Sequence, residues 1–478
     1  MRTRTSMGRR LALSATIALC LTHVFATAQA AASAITIAVS PEGKKQPIGS
    51  DYIGLSYEGG TLVANASGGH LFAPTNTSLL NMFRTLGVKN LRIGGNSSER
   101  LTTASTDADR AALFQFAQAG NLNVVFNLRM KPTAAGETTT DQAYQIAIAE
   151  TLARDYSANL QAIEIGNEPD NGSFTDYNQY RSLAASYMSD VLAQPHAGNV
   201  VFVGPSATSG RVTTWPALFS NDFGPTGKIK YVTQHWYSAG NSQNVTDQAA
   251  ERKKILAATF PNSYLTFYNK FVPAVEAAGL PYRLEETNTY SIGGASGVSD
   301  TYAATLWGLD YMYWWAAHGA IGVNFHTGGF YDAIQPRTVS ATYVAKPLAY
   351  ALKAFDLGGH GNLVPLTITN TDNVNITAYA AVDIDNSMSI TLINKSFDAA
   401  GRDATVSLDP GRIYKRAKAW TLRAPANDVS VITGITIGGA SINGDGSWAG
   451  AASRLSIFNT GRVTVSLPMA SAVVVRLE

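Results

Sequence analysis

Ala162-Ile163-Glu164-Ile165-Gly166-Asn167-Glu168-Pro169 is the stretch that decides the fold of this chain. Its first half reads as a short strand, apolar apart from Glu164. Its second half reads as a sharp turn, because Gly and Pro interrupt regular structure. Working outward, short apolar runs recur at 53–57, 90–93 and 123–128 before it. Others follow at 200–204, 230–235, 282–286 and 322–326. Between them lie segments with helical spacing at 78–86, 107–119, 141–156, 177–192, 264–278 and 302–318. Eight strands alternating with helices predict a (β/α)8 TIM barrel. The runs are apolar over most of their length, as expected of parallel strands covered on both faces. A doubly wound open sheet is the alternative. No glycine-rich phosphate loop follows the first run, which counts against its nucleotide-binding versions.

After residue 357 the texture changes. Gly358-Gly359-His360-Gly361 punctuates the chain, and β-rich runs then recur at 374–381, 388–392, 404–408, 416–422, 455–458 and 472–477. Short strands separated by turn residues predict a β-sandwich. A further strand at 35–39 precedes the barrel and is expected to join that sandwich, bringing both ends of the chain into one module. The expected organisation is therefore a leader at 1–30, a joining strand at 31–48, a catalytic barrel at 49–357 and a β-sandwich at 358–478.

The leader is read from its order of segments. Arg2, Arg4, Arg9 and Arg10 precede an apolar run at 11–21, and Ala28-Gln29-Ala30 is a small-x-small cleavage signal. That order is a secretory signal peptide, and the run is short for a bilayer span. Arg9-Arg10 permits twin-arginine export, although Leu-Ala-Leu after it is a weak match. Leu19 before Cys20 is too bulky for a lipoprotein signal. Cleavage after Ala30 removes the only cysteine and four arginines, taking the net charge from +2 to −2 over 448 remaining residues. The expected location is secreted or periplasmic. A near-neutral chain with 15% charged residues lacks the basic excess of a nucleic-acid binder. At 45% hydrophobic it is not a disordered chain either. No later run is long enough to span a membrane.

A barrel carries its chemistry at the C-terminal ends of its strands. Strand four ends in Asn167-Glu168-Pro169, and strand seven ends in Glu285-Glu286-Thr287-Asn288. A lone glutamate at a strand end is usually solvated or paired. Two of them across one mouth are the minimum equipment for glycoside hydrolysis, in which one carboxyl protonates the leaving oxygen and the other attacks the anomeric carbon or activates water. Glu164 lies deeper on strand four and reads as structural. Alternation places Glu285 and Glu286 on opposite sides of strand seven, so only one is expected to face the mouth.

In these motifs the chain resembles glycoside hydrolase family 79, the β-glucuronidase and heparanase family. The matching pieces are Leu91-Arg92-Ile93-Gly94-Gly95-Asn96, Glu164 to Pro169, His235-Trp236-Tyr237, Glu286-Thr287-Asn288 with Tyr290, and Gly293-Gly294. Asn-Glu-Pro alone marks only the wider clan of barrel glycosidases. The resemblance implies a retaining mechanism with Glu168 as acid/base and Glu286 as nucleophile. The family's nucleophile precedes Thr, which selects Glu286. Glu285 stands where relatives have Gly, a departure from the pattern.

The resemblance also implies substrate contacts. Asn167 would bond the sugar 2-hydroxyl, Tyr237 would donate to the nucleophile, and Glu58 and Asn96 would line the mouth. Gly293 and Gly294 would offer backbone N–H groups to the uronate, with Tyr331 beside them. No metal or cofactor is implied. The expected function is exo-acting release of terminal β-linked glucuronic acid from a glucuronide or a glucuronic-acid-containing oligosaccharide, by a monomer with no nucleic-acid or membrane partner. The alternatives are an endo-acting heparanase-like hydrolase, a neutral-sugar glycosidase of the clan and a non-catalytic carbohydrate-binding protein. The near-neutral charge argues against a long sulfated polymer.

Overall fold

The computed structural model describes Met1 and residues 32–100, 105–131, 142–171 and 173–478. The expected leader at 1–30, Met1 apart, lies outside the described residues, and Cys20 with it. Eight parallel strands close into a barrel in chain order: Ile53–Glu58, Asn90–Gly94, Asn123–Leu128, Leu160–Ile165, Phe202–Ala207, Ile229–Asn241, Tyr282–Ser291 and Val323–His326. We call them strands one to eight. All eight were expected, and so was the (β/α)8 architecture. Strands six and seven run far past their expected ends, forming a raised wall on one side of the mouth.

The helices around the barrel start and stop for local reasons. Asp107–Gly120 begins with a capping box, in which the Thr106 hydroxyl accepts from the Asp109 N–H and the Asp109 carboxylate accepts from the Thr106 N–H. Two orphan donors of the first turn are thereby satisfied. The helix stops at Asn121, which takes the left-handed conformation that ends many helices. Tyr302–Ala317 is different, being apolar around nearly its whole circumference and buried along almost its whole length. Such a helix must be covered on all sides. Here the barrel covers one side and the β-sandwich the other: the Tyr313 ring stacks on Tyr379, and the Tyr302 hydroxyl donates to the Leu422 carbonyl.

One sandwich sheet orders Leu366–Thr369, Ser33–Val39, Ala404–Asp409 and Val463–Leu467. The N-terminal strand thus lies inside the C-terminal β domain, parallel to Ala404–Asp409 and antiparallel to Leu366–Thr369. The second sheet is built around Ala417–Arg423, Ser471–Leu477, Met388–Asn394 and Ile376–Val382. Ile35, Ile37, Val406, Leu408, Val465 and Ile390 fill the space between the sheets. Val463–Leu467 alternates buried Val463, Val465 and Leu467 with exposed Thr464 and Ser466. This strand follows the expected 455–458 run, where the strand itself is the shorter Ser453–Leu455.

Candidate active site

Strand two contributes a charge inside an otherwise apolar run. Arg92 is fully buried at the centre of the mouth. Its guanidinium donates to both Glu164 oxygens at 2.9 Å, to Glu286 Oε2 at 2.7 Å, to Asn167 Oδ1 at 2.7 Å and to Ser56 Oγ at 3.1 Å. A buried guanidinium must be paired, and its fork reaches strands one, four and seven at once. Glu164 is its fully buried counter-ion, consistent with a structural role.

Strand seven departs from simple alternation. Thr233 to His235 on strand six pairs with Arg283 to Glu286, and Val323 to Phe325 on strand eight pairs with Leu284 to Thr287. On each side two steps along the neighbour match three along strand seven, so a β-bulge sits at Glu285-Glu286. Bulges re-aim side chains, commonly beside active sites. Both carboxylates therefore turn into the barrel, correcting the expectation that they face opposite ways. Glu286 reaches the mouth. Glu285 lies below it and accepts from the Tyr231 hydroxyl at 2.5 Å, and Tyr231 also bonds Gln161 of strand four across the interior.

The two environments separate the adjacent acids electrostatically. Burial opposes the charge on Glu286, but the His326 and His235 imidazoles and the Arg92 guanidinium outweigh it and hold Glu286 well below the usual carboxylate range. Tyr237 Oη donates to Glu286 Oε1 at 2.9 Å, and burial together with Glu286 pushes that phenol up, so it keeps its proton. Glu285 goes the other way. Burial, with Glu164 adding to it, pushes it up to about 7. Its Oε2 has no hydrogen-bond partner among the described residues.

Glu168 stands at a strained elbow. Gly166 has φ +81° and Glu168 itself φ +41°, a left-handed conformation rare for a residue with a side chain. Its N–H donates to the Ser206 carbonyl at 2.9 Å. Its carboxylate is partly exposed, 3.2 Å from His235 Nδ1 and 3.0 Å from Asn171 Nδ2. An oxygen of Glu168, a ring nitrogen of His235 and an oxygen of Glu286 lie within 4.8 Å of one another. By distance these three could hold a metal ion, but the Arg92 cation on Glu286 opposes a second positive charge there.

The remaining expected residues gather unevenly. Glu58 Oε2 accepts from the Ser97 N–H at 2.7 Å, and Oε1 lies 3.5 Å from His326 Nε2. Tyr331 is buried and stacks on Tyr237 at 6.1 Å. Gly293 and Gly294 have φ +76° and +81°, and a Cβ on Gly294 would stand 2.9 Å from Tyr331 Cδ1. Glycine is required there by both backbone and space. The Gly293 carbonyl accepts from the Phe330 N–H at 2.7 Å, which fastens this loop to the one after strand eight. Asn96 is exposed at the start of the helix Gly95–Arg100. Its neighbour Gly95 faces the site instead, donating its N–H to Asn167 Oδ1 at 3.1 Å.

Arg92, His235, His326 and Glu99 complete the cluster; the first two lie in the motifs quoted for the resemblance but carry no role there, and the other two are not singled out by the sequence. Arg92 carried a signal, since a charge inside a doubly covered strand requires a buried partner. His326 and Glu99 carried none.

Comparison with known proteins agrees with this architecture. Residues 378–474 match the glycosyl hydrolase family 79 C-terminal β domain. A β-glucuronidase of Neurospora crassa is 29% identical over 136 residues, covering 28% of this chain and 24% of that protein. A β-glucuronidase of Aspergillus niger is 27% identical over 239 residues, covering 42% of each. The matched stretches thus span less than half of either relative. A 4-O-α-L-rhamnosyl-β-D-glucuronidase from Fusarium oxysporum 12S shares the fold with a TM-score of 0.70 at 20% identity, over 92% of this chain and 99% of that one. A GH51 arabinofuranosidase from Xanthomonas axonopodis pv. citri aligns with a TM-score of 0.64 at 15% identity, over 93% and 100%. These matches point to the family expected from the motifs, glycoside hydrolase family 79, to which the chain is similar in its C-terminal β domain and in part of its length.

Proposed function

We propose that the chain is an exo-acting, retaining β-glucuronidase that releases terminal glucuronic acid and works outside the cytoplasm after loss of its leader. The observation that carries this is the carboxylate pair. One oxygen of Glu168 lies within 4.8 Å of one oxygen of Glu286, an approach that suits the roughly 5–5.5 Å separation of retaining pairs better than the roughly 6.5–9.5 Å that leaves room for an inverting water. Glu286, kept ionised by Arg92 and Tyr237, attacks the anomeric carbon. Glu168 gives its proton to the leaving oxygen, then takes one from the water that hydrolyses the glycosyl-enzyme. Asn167, held by Arg92 and Gly95, lies beside the nucleophile, where it can bond the 2-hydroxyl.

The uronate is assigned to the Gly293-Gly294 loop and Tyr331. Bare backbone at glycine allows close approach of an anion. Support comes from the loop's packing on Tyr331, beside the phenol that touches the nucleophile, and from the names of the two curated relatives. The test is hydrolysis of an aryl β-glucuronide against the matched β-glucoside, with NMR of the first-formed sugar. The glucuronide should be strongly preferred and the β anomer should appear first. An α product rejects retention, and equal rates reject the uronate site.

A further inference from the structure

Glu99 has no role in the chemistry described so far, yet it is one of the most heavily used side chains at the mouth. It sits on the helix Gly95–Arg100 that follows strand two, and it is buried. Oε1 accepts from the Asn167 N–H at 3.0 Å and from the Met130 N–H at 3.3 Å. Oε2 accepts from the Met130 N–H at 3.0 Å and the Lys131 N–H at 2.8 Å. One carboxylate therefore ties the segment after strand two to the segments after strands three and four. Its hydrogen-bond donors among the described residues are all backbone amides, so it holds main chain, with the Arg129 guanidinium near enough to favour its charge.

Asn167 is gripped twice. Glu99 holds its backbone, while Arg92 and Gly95 hold its side chain. The next residue is Glu168, in the left-handed conformation. A strained residue keeps that geometry only where its surroundings over-determine it. The Glu168 N–H is held from beyond by Ser206, and the Asn167 N–H just before it by Glu99.

We infer that Glu99 is a positioning residue for the acid/base: its carboxylate clamps the backbone at Asn167 and so aims the Glu168 carboxyl at the leaving oxygen. The inference rests on the reading of Glu168 as acid/base. Glutamine at position 99 keeps the size but supplies one accepting oxygen and one NH2. That NH2 meets backbone N–H groups, so part of the clamp is lost. A misaimed acid matters most when the leaving group needs a proton and least when it departs as a stable anion.

The experiment is a leaving-group series. Aryl glycosides of increasing leaving-group basicity are assayed with wild type, Glu99→Gln, Glu168→Ala and the double variant, on whichever glycone the wild type turns over. Glu99→Gln should stay within about twofold of wild type on the most acidic leaving groups and fall by at least about tenfold on the most basic ones. The steeper slope should be absorbed by Glu168→Ala, with the double variant no worse than that single one. A uniform loss across the series, or fully additive effects, overturns the clamp. Should Glu99→Gln fail to fold, Glu99→Asp is read by the same two criteria. Failure of the wild type on glucuronides alone, with another glycoside turned over, counts against the proposed substrate and leaves the slope to decide the clamp. Inactivity on every glycoside overturns both.

Discussion

The barrel mouth and the seam between barrel and sandwich both bury charge, and they treat it in opposite ways. At the seam, Asp310 on the helix Tyr302–Ala317 accepts from Lys395 Nζ at 2.6 Å, Thr377 Oγ1 at 2.7 Å and Tyr379 Oη at 2.8 Å. One anion meets one cation, and hydroxyls take up the remaining acceptor capacity. At the mouth, Glu164, Glu285 and Glu286 crowd around one guanidinium, with Glu168 and two imidazoles beside them. The seam is balanced and joins two modules. The mouth is unbalanced, and the imbalance pushes the adjacent Glu285 and Glu286 apart in proton affinity, leaving Glu286 the ionised one of the two. Buried charge marks a working site where it is left in excess rather than where it is merely present.

The largest expected effect breaks the mouth. Glu286→Ala should lower turnover by roughly 10^4- to 10^6-fold, as removal of a nucleophile does elsewhere. Azide should restore part of it with an α-glycosyl azide as product, while circular dichroism stays that of the wild type. Should Glu285→Ala give the azide product instead, the roles of the adjacent acids are exchanged.

The next effect breaks the seam. Asp310→Ala strands Lys395 in the interior and should cost about 3–5 kcal/mol of stability in chemical denaturation, with turnover per folded molecule unchanged. Replacing both partners by apolar residues of similar size should recover much of that loss. Equal stability of the single and double variants would show that the seam is held by its apolar packing alone.

The smallest effect sharpens the contrast within the mouth. Glu285 is raised, so between the ordinary glutamate value and about 7 the folded state holds a proton that the unfolded chain has lost. Stability then falls as pH rises through that window and is flat above it. Glu285→Gln keeps an acceptor for Tyr231 and never ionises. Its melting temperature should exceed that of the wild type at pH 8, and the gap should close toward pH 5. A gap independent of pH would mean that Glu285 does not titrate in this window.

Much of this was legible beforehand. Parallel strands covered on both faces must be apolar, so the runs around 90–93, 123–128 and 162–165 announced themselves, and their alternation with helices specified the barrel. Glu168 and the Glu285-Glu286 pair stood out because a barrel carries its chemistry at strand ends, and the resemblance singled out Glu286. Val463–Leu467 is not among the runs read from the sequence although its alternation is clean, because it opens two residues after Gly461, beside a turn signal. The reach of strands six and seven beyond 235 and 286 was hidden too, since the added residues are largely polar and, Thr287 against Phe325 apart, pair with each other.

Local sequence determined the elements, the order of the barrel strands and the two carboxylates, because periodicity and turn chemistry act over a few residues. It could not determine which way Glu285 points. That depends on an extra residue accommodated against strands six and eight at once, and register is a property of neighbours rather than of a strand. Nor could it determine that Arg92 bridges Glu164, Asn167 and Glu286, or that Glu99 holds the backbone before Glu168. Those contacts join residues about 30 to 200 positions apart, and only the closure of the barrel brings them within hydrogen-bonding distance.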